Sequence, residues 1–126
     1  MCQYETILAE QSSTRYISSC EHGTVHVMWD GLGLHLRKER FHALADETQK
    51  ALRELHASIG QHAPHYWFRL RVNTVVLGIP YGEFVRFVAL LSQARLQMEV
   101  SSAMDASEFG PAIGRIHSAP ASFCAN

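Results

Sequence analysis

The feature that most constrains the fold is an alternating apolar segment, residues 25–36, which is interrupted by Asp30-Gly31. Asp-Gly favours a type I′ turn because both central positions of that turn need positive φ, and the turn joins two antiparallel strands. A two-residue loop also sets the register, so the apolar side chains of both strands share one face. The segment therefore predicts a hairpin with one face in the core. The predicted apolar pairs are Val25 with Leu36, Val27 with Leu34, and Trp29 with Leu32.

A second segment, residues 68–79, shows the same alternation, with Asn73-Thr74 in place of Asp-Gly. Apolar residues follow each segment at spacings of three and four, which is typical of an amphipathic helix. We predict helices at about residues 38–59, closed by Gly60, and at about 81–98, opened by Pro80. The pattern predicts an α+β fold in which two ββα repeats form one antiparallel sheet with both helices on one face. Two unrelated ββα units would give the same pattern, because few residues are identical between the copies.

The length of 126 residues is suited to one domain. We expect residues 15–100 to form it, with repeat one at about 20–60 and repeat two at about 63–100. Residues 1–14 show no clear periodicity and are expected to be an N-terminal extension. Ser, Ala, Gly and Pro dominate residues 101–126, a composition that predicts a flexible tail.

Charge and cysteine content narrow the class of protein. The net charge is -1, from 11 Lys and Arg against 12 Asp and Glu, so no overall positive field attracts nucleic acid or an anionic membrane. The three Cys residues are odd in number and scattered, and no signal-peptide pattern precedes them, which argues against a secreted disulfide framework. No apolar run is long enough to cross a bilayer. We therefore expect a cytoplasmic protein that binds neither nucleic acid nor membrane.

The residues that most clearly suggest a functional site occupy even positions of one β-patterned run. They are Cys20, His22 and His26. Side chains at even positions of a single strand share one sheet face. Aligning the two repeats makes His65 the equivalent of His22, and an approximate twofold axis would bring the two imidazoles together. A thiolate with imidazoles suits zinc or copper, and the thioether of Met28 favours copper. The expected metal ligands are Cys20, His22, His65 and His26. They would bind a transition metal ion or a metal-containing ligand, in a protein that senses or delivers it.

Other interpretations of these residues stay open. Cys20 could be a small buried residue beside solvated His side chains. His26 and His35 face each other across the hairpin, either as a pH-sensitive pair or as a coincidence of the sheet surface. A nucleophilic Cys20 would lack both an orienting acid and a Gly-rich oxyanion loop. We therefore expect a non-enzymatic protein.

The competing function is a metal-free interaction or assembly module. It would use the sheet edge or the open sheet face, with Trp67 and Tyr66 as contact residues. A sheet covered by helices on one side leaves its other face available for a second copy or another protein. On that ground we expect a homodimer, with another protein as the alternative partner.

The segment from Ser19 to Trp29 carries the motif Cys-x-His-Gly-x-Val-His-x-x-Trp. It resembles a family of small uncharacterised bacterial proteins in which this motif precedes a hairpin and a helix. The resemblance covers chiefly residues 17–52, with a weaker match in residues 66–95. It implies a bacterial cytoplasmic protein and carries no activity, so the site rests on the residues themselves.

Overall fold

The computed structural model describes residues 2–59, 67–72 and 74–106. Among these residues, strands β1 to β4 form one antiparallel sheet in chain order, and β5 and β6 form a separate two-stranded sheet. The fold is therefore α+β, but the prediction that all strands join one sheet is wrong. In chain order the elements are β1 (Glu5–Ser12), β2 (Arg15–Cys20), β3 (Thr24–Trp29), β4 (Leu32–Arg37), α1 (Lys38–Ile59), β5 (Trp67–Val72), β6 (Val75–Pro80) and α2 (Tyr81–Ala106).

The β3–β4 hairpin has the register that its sequence predicts. Asp30 and Gly31 have φ values of 49° and 92°, which lie in the left-handed region that a type I′ turn requires. The side chains that face the helices are buried on both strands, so a register slip would expose them. The observed pairs are Val25 with Leu36, Val27 with Leu34, Trp29 with Leu32, and His26 with His35.

Both helices pack on the apolar face of the four-stranded sheet. α1 contacts β3 and β4, whereas α2 contacts β1 and β2. The ring of Phe87 in α2 lies edge-on to Trp29, with ring centroids 5.0 Å apart. On the same helix, Phe84 stacks on Phe68 of β5 with centroids 3.9 Å apart. Helix α2 therefore joins the two sheets through one continuous core. Neither helix of the described residues lies on the other face of the four-stranded sheet.

Strand β1 has no counterpart in the sequence prediction, which places an N-terminal extension at residues 1–14. Its pairing with β2 shifts register twice, between Ile7 and Ala9 and between Glu10 and Ser12. Each shift interrupts the alternation of inward and outward side chains. A period of two is therefore missing from the sequence even though the strand is part of the sheet.

The helices agree with the prediction at their N-terminal ends. Helix α1 covers the predicted range, and α2 continues to Ala106, beyond its predicted end at residue 98. Residues 101–106 of the predicted tail belong to this helix, while 107–126 lie outside the described residues, as does Gly60. The order ββα occurs twice, but the two copies belong to different sheets, so the duplication stays a prediction. Within the described part of the chain, neither helix has the length and apolar character that a membrane span needs.

Candidate metal centre

The structure places the predicted ligands on two strands and a turn. Cys20 is the last residue of β2, His22 lies in the turn to β3, and His26 lies within β3. The amide of Gly23 donates a hydrogen bond to the carbonyl of Cys20 at 3.0 Å, and Gly23 has a φ of 80°, which glycine adopts without strain. The prediction of one continuous strand is therefore wrong, because this turn reverses the chain and folds His22 back towards Cys20.

Four side chains meet at this turn: Cys2, Cys20, Glu21 and His22. One potential ligand atom from each lies within 4.8 Å of those of the other three. The Sγ of Cys20 is 3.9 Å from Nδ1 of His22. A sulfur and a nitrogen bound to one tetrahedral zinc ion are roughly 3.6 Å apart, given Zn–S near 2.3 Å and Zn–N near 2.0 Å. The cluster therefore has nearly the spacing of a coordination shell.

Sequence reasoning missed two members of the cluster, Glu21 and Cys2. Cys2 is the one that lies far from Cys20 in the sequence. It is buried and packs against Cys20 in a small cluster apart from the main core. Its position depends on the pairing of β1 with β2, which sets Glu5 opposite Cys20 and so brings the preceding residues to the end of β2. No local pattern relates residue 2 to residue 20, and the only available signal was the presence of a further cysteine.

Glu21 holds the N-terminal segment against the turn. Its Oε2 accepts a hydrogen bond from the amide of Gln3 at 2.8 Å, and its Oε1 accepts one from the amide of Tyr4 at 3.2 Å. These bonds, with the one from Gln3 as the main cause, lower the pKa of the Glu21 carboxyl. Both carboxylate oxygens already accept hydrogen bonds, so Glu21 fits a positioning role better than a ligand role.

His26 lies on the helix-free sheet face and is nevertheless only 4% exposed. Its Nε2 is 3.8 Å from Sγ of Cys2, and its ring makes an edge contact with His35 at 4.6 Å between centroids. On the same face, buried Ser18 donates a hydrogen bond from Oγ to Oε2 of Glu5 at 2.6 Å. His26, which lies within β3, thus contacts the sulfur of Cys2.

The remaining two predictions about the site have different outcomes. His65 lies outside the described residues, so its role as a ligand stays a prediction. Met28 pairs with Tyr16 near the opposite end of β2 from Cys20. Its sulfur packs beside Gly33, 3.2 Å from the position that a Cβ atom there would take. Met28 therefore lies apart from the cluster, and the choice between zinc and copper stays a prediction.

The surroundings of Cys20 favour its thiolate form. Burial raises the pKa of this thiol, but hydrogen bonds from the side chains of Cys2 and His26 and from the amides of His22 and Thr24 outweigh burial, and the pKa falls to about 5. A lowered pKa means that the thiolate dominates above pH 5 and is lost below it. Because metals bind thiolates, a metal ion that bound this cluster at neutral pH would not have to displace this proton.

We expect iodoacetamide to alkylate Cys20 of the metal-free protein at a nearly constant rate between about pH 8 and about pH 6, because the thiolate is the reactive form. The rate should then fall as the pH drops through about 5. Mass spectrometry of the peptide that contains Cys20 measures the rate of alkylation. The protein used carries Cys124→Ser, which removes a competing thiol. In Cys2→Ala the fall should move to higher pH, since the side-chain hydrogen-bond donor at residue 2 is lost. A rate that climbs tenfold per pH unit through about pH 7, as for an ordinary thiol, would contradict the lowered pKa.

Comparison with family models, curated proteins and solved structures finds no match to this chain. The residues that meet at the end of β2 are therefore what indicates a function.

Proposed function

We propose that this protein binds a transition metal ion, zinc before copper, through Cys2, Cys20 and His22, and that it senses or delivers the ion. The observation that supports this function is the convergence of two buried sulfurs and an imidazole nitrogen within 4.8 Å of one another. Sulfur and imidazole nitrogen are the donors that zinc prefers in proteins. Burial of the two cysteines does not by itself supply the third donor, the ring nitrogen of His22, which lies 3.9 Å from Sγ of Cys20.

The layout of the ligands suits exchange of the ion better than permanent structural binding. Cys2 and Cys20 are buried, whereas Glu21 and His22 are exposed, so an ion held here would have sulfur beneath it and solvent above it. Three protein ligands leave a fourth position for water or for a ligand from another molecule. An ion with an exposed open position can pass to a partner by ligand exchange. That exposure supports a role in delivery or sensing over a purely structural one.

Cobalt titration of the reduced, tag-free protein tests this proposal. Co²⁺ replaces Zn²⁺ in sulfur and nitrogen sites and absorbs visible light when it is tetrahedral. We expect one Co²⁺ per chain, a thiolate-to-cobalt charge-transfer band, and loss of both signals on addition of Zn²⁺. Cobalt spectra that match the free ion, together with no heat on titration with Zn²⁺ or Cu(I), would refute the metal site.

A metal-free assembly module is the second candidate, and the outer face of the β5–β6 hairpin favours it. Trp67 is 64% exposed and Val76 is 51% exposed, and Arg71 pairs with Val76 on the same face. An exposed Trp beside Arg is typical of a protein contact surface. A homodimer formed through this face would persist in a chelator, so light scattering with and without chelator separates it from metal-dependent assembly. Tyr66, the other expected contact residue, lies outside the described residues.

A further inference from the structure

The two sulfurs of the cluster allow a second chemistry that needs no metal. Cys2 and Cys20 are both thiols, they pack on each other, and their sulfur atoms lie within 4.8 Å. A small displacement would bring the two sulfurs to bonding distance. Residue 2 precedes β1 and lies outside every helix and strand, so the N-terminal segment can take up that displacement without disturbing the sheet.

We propose that Cys2 and Cys20 form a redox-active pair, which small-molecule disulfides of the glutathione type convert into a Cys2–Cys20 disulfide. The thiolate of Cys20 attacks one sulfur of the small disulfide, forming a mixed disulfide and releasing one small thiolate. Cys2, having given its proton to solvent, then attacks the sulfur of Cys20 and displaces the second small thiolate. Relative to the dithiol, the protein loses two electrons and two protons in total, and the small disulfide takes them up to become two thiols. This proposal goes beyond metal binding and depends only on the positions of the sulfurs.

Cys20 is the sulfur that a small disulfide can reach first. It lines an open cavity of about 300 Å³ on the side where α2 ends. Lys38, at the start of α1, lines the same cavity and would attract the carboxylates of a glutathione-type disulfide. Glu21 keeps the second cysteine close, because its hydrogen bonds to Gln3 and Tyr4 hold the segment that follows Cys2. Cys20 is therefore the attacking residue and Cys2 the resolving residue.

Disulfide formation would also regulate the proposed metal site, and this consequence does rest on the proposed function. A sulfur in a disulfide is no longer a thiolate and cannot bind the ion in the same way. Oxidation would therefore release the metal, and bound metal would protect the sulfurs. The pair would make metal release depend on the thiol–disulfide balance around the protein.

The experiment treats metal-free Cys124→Ser protein with oxidised glutathione, quenches it with acid, and determines its mass. We expect a loss of two hydrogens, no lasting glutathione adduct, and a cross-link between the two tryptic peptides that cleavage after Arg15 separates. Cys2→Ser should stop at a glutathione adduct on Cys20, and Cys20→Ser should react at least about tenfold more slowly. Adducts on both cysteines, or cross-links between chains, would overturn the proposal.

Two further measurements separate this proposal from the metal site. The intramolecular disulfide should form at least about tenfold faster in native protein than in urea, because the fold raises the effective concentration of one sulfur near the other. Equal rates would overturn the proposal. One equivalent of Zn²⁺ should slow oxidation at least about tenfold, because the metal occupies the thiolates. If the disulfide forms quickly and Zn²⁺ does not slow its formation, the redox pair is supported and the metal site is refuted. If Zn²⁺ binds and no disulfide forms, the metal site is supported and the redox pair is refuted.

Discussion

Replacing Cys2 by Ser should weaken zinc binding by more than about 100-fold, since loss of a mere supporting partner costs about 10- to 100-fold and loss of a direct ligand costs more. Serine keeps the size of the side chain, but its hydroxyl stays protonated at neutral pH and is a poor zinc ligand. The sulfur of Cys2 belongs to the group of ligand atoms that lie within 4.8 Å of one another. Competition with a chromophoric chelator measures the affinity, and Cys20→Ser should show a loss of the same order.

Two variants serve as controls for this result. Cys124→Ser removes a thiol elsewhere in the sequence and should leave the affinity unchanged. Glu21→Gln should give an intermediate loss of about 10- to 100-fold, because a Gln amide presents one acceptor oxygen where the carboxylate now accepts from both Gln3 and Tyr4. Unchanged affinity in Cys2→Ser would show that residue 2 is not a ligand, and would remove the main support for the metal site.

Replacing Phe87 by Ala should lower the free energy of unfolding by about 3–5 kcal/mol, through lost burial and the cavity left behind. Phe87 is 0% exposed and lies between α2 and the sheet, with its ring centroid 5.0 Å from that of Trp29. Such a loss is a large fraction of the stability of an ordinary domain. Urea denaturation followed by circular dichroism measures it.

The matched control is Leu96→Ala on the same helix. Leu96 is 60% exposed, so its truncation should change the free energy of unfolding by no more than about 0.5 kcal/mol. A difference of less than about 1 kcal/mol between the two variants would show that Phe87 does not fill the core as the structure indicates.

The sequence was informative wherever structure depends on neighbouring residues. The β3–β4 hairpin follows from alternation and from the Asp30-Gly31 turn, both of which act over a few residues. Helix α1 follows from apolar spacings of three and four, which are equally local. The second hairpin was predicted in the same way, but its pattern could not tell which strands it would join. Strand partners are chosen by tertiary packing, and α2 holds β5 and β6 as a separate sheet.

At the candidate metal site, too, short-range sequence patterns could not predict which residues come together. Cys20 and His22 were expected to be close because they would share one strand face, whereas the turn closed at Gly23 is what brings them together. The alternation of residues 20–29 continues through that turn, so the pattern alone could not reveal the reversal. His26 stays near the sulfurs, but its contact is with Cys2, a residue that the sequence did not connect with the site.

By itself the sequence determined an α+β chain, the register of its first hairpin, and the donor atoms available for a metal site. Only the tertiary structure decided which donors meet. Cys2 reaches Cys20 because β1 pairs with β2 through a bulged register and because Glu21 holds the amides that follow Cys2. These contacts join distant parts of the chain, and no short-range pattern encodes them. The two-sulfur centre is therefore a product of strand pairing.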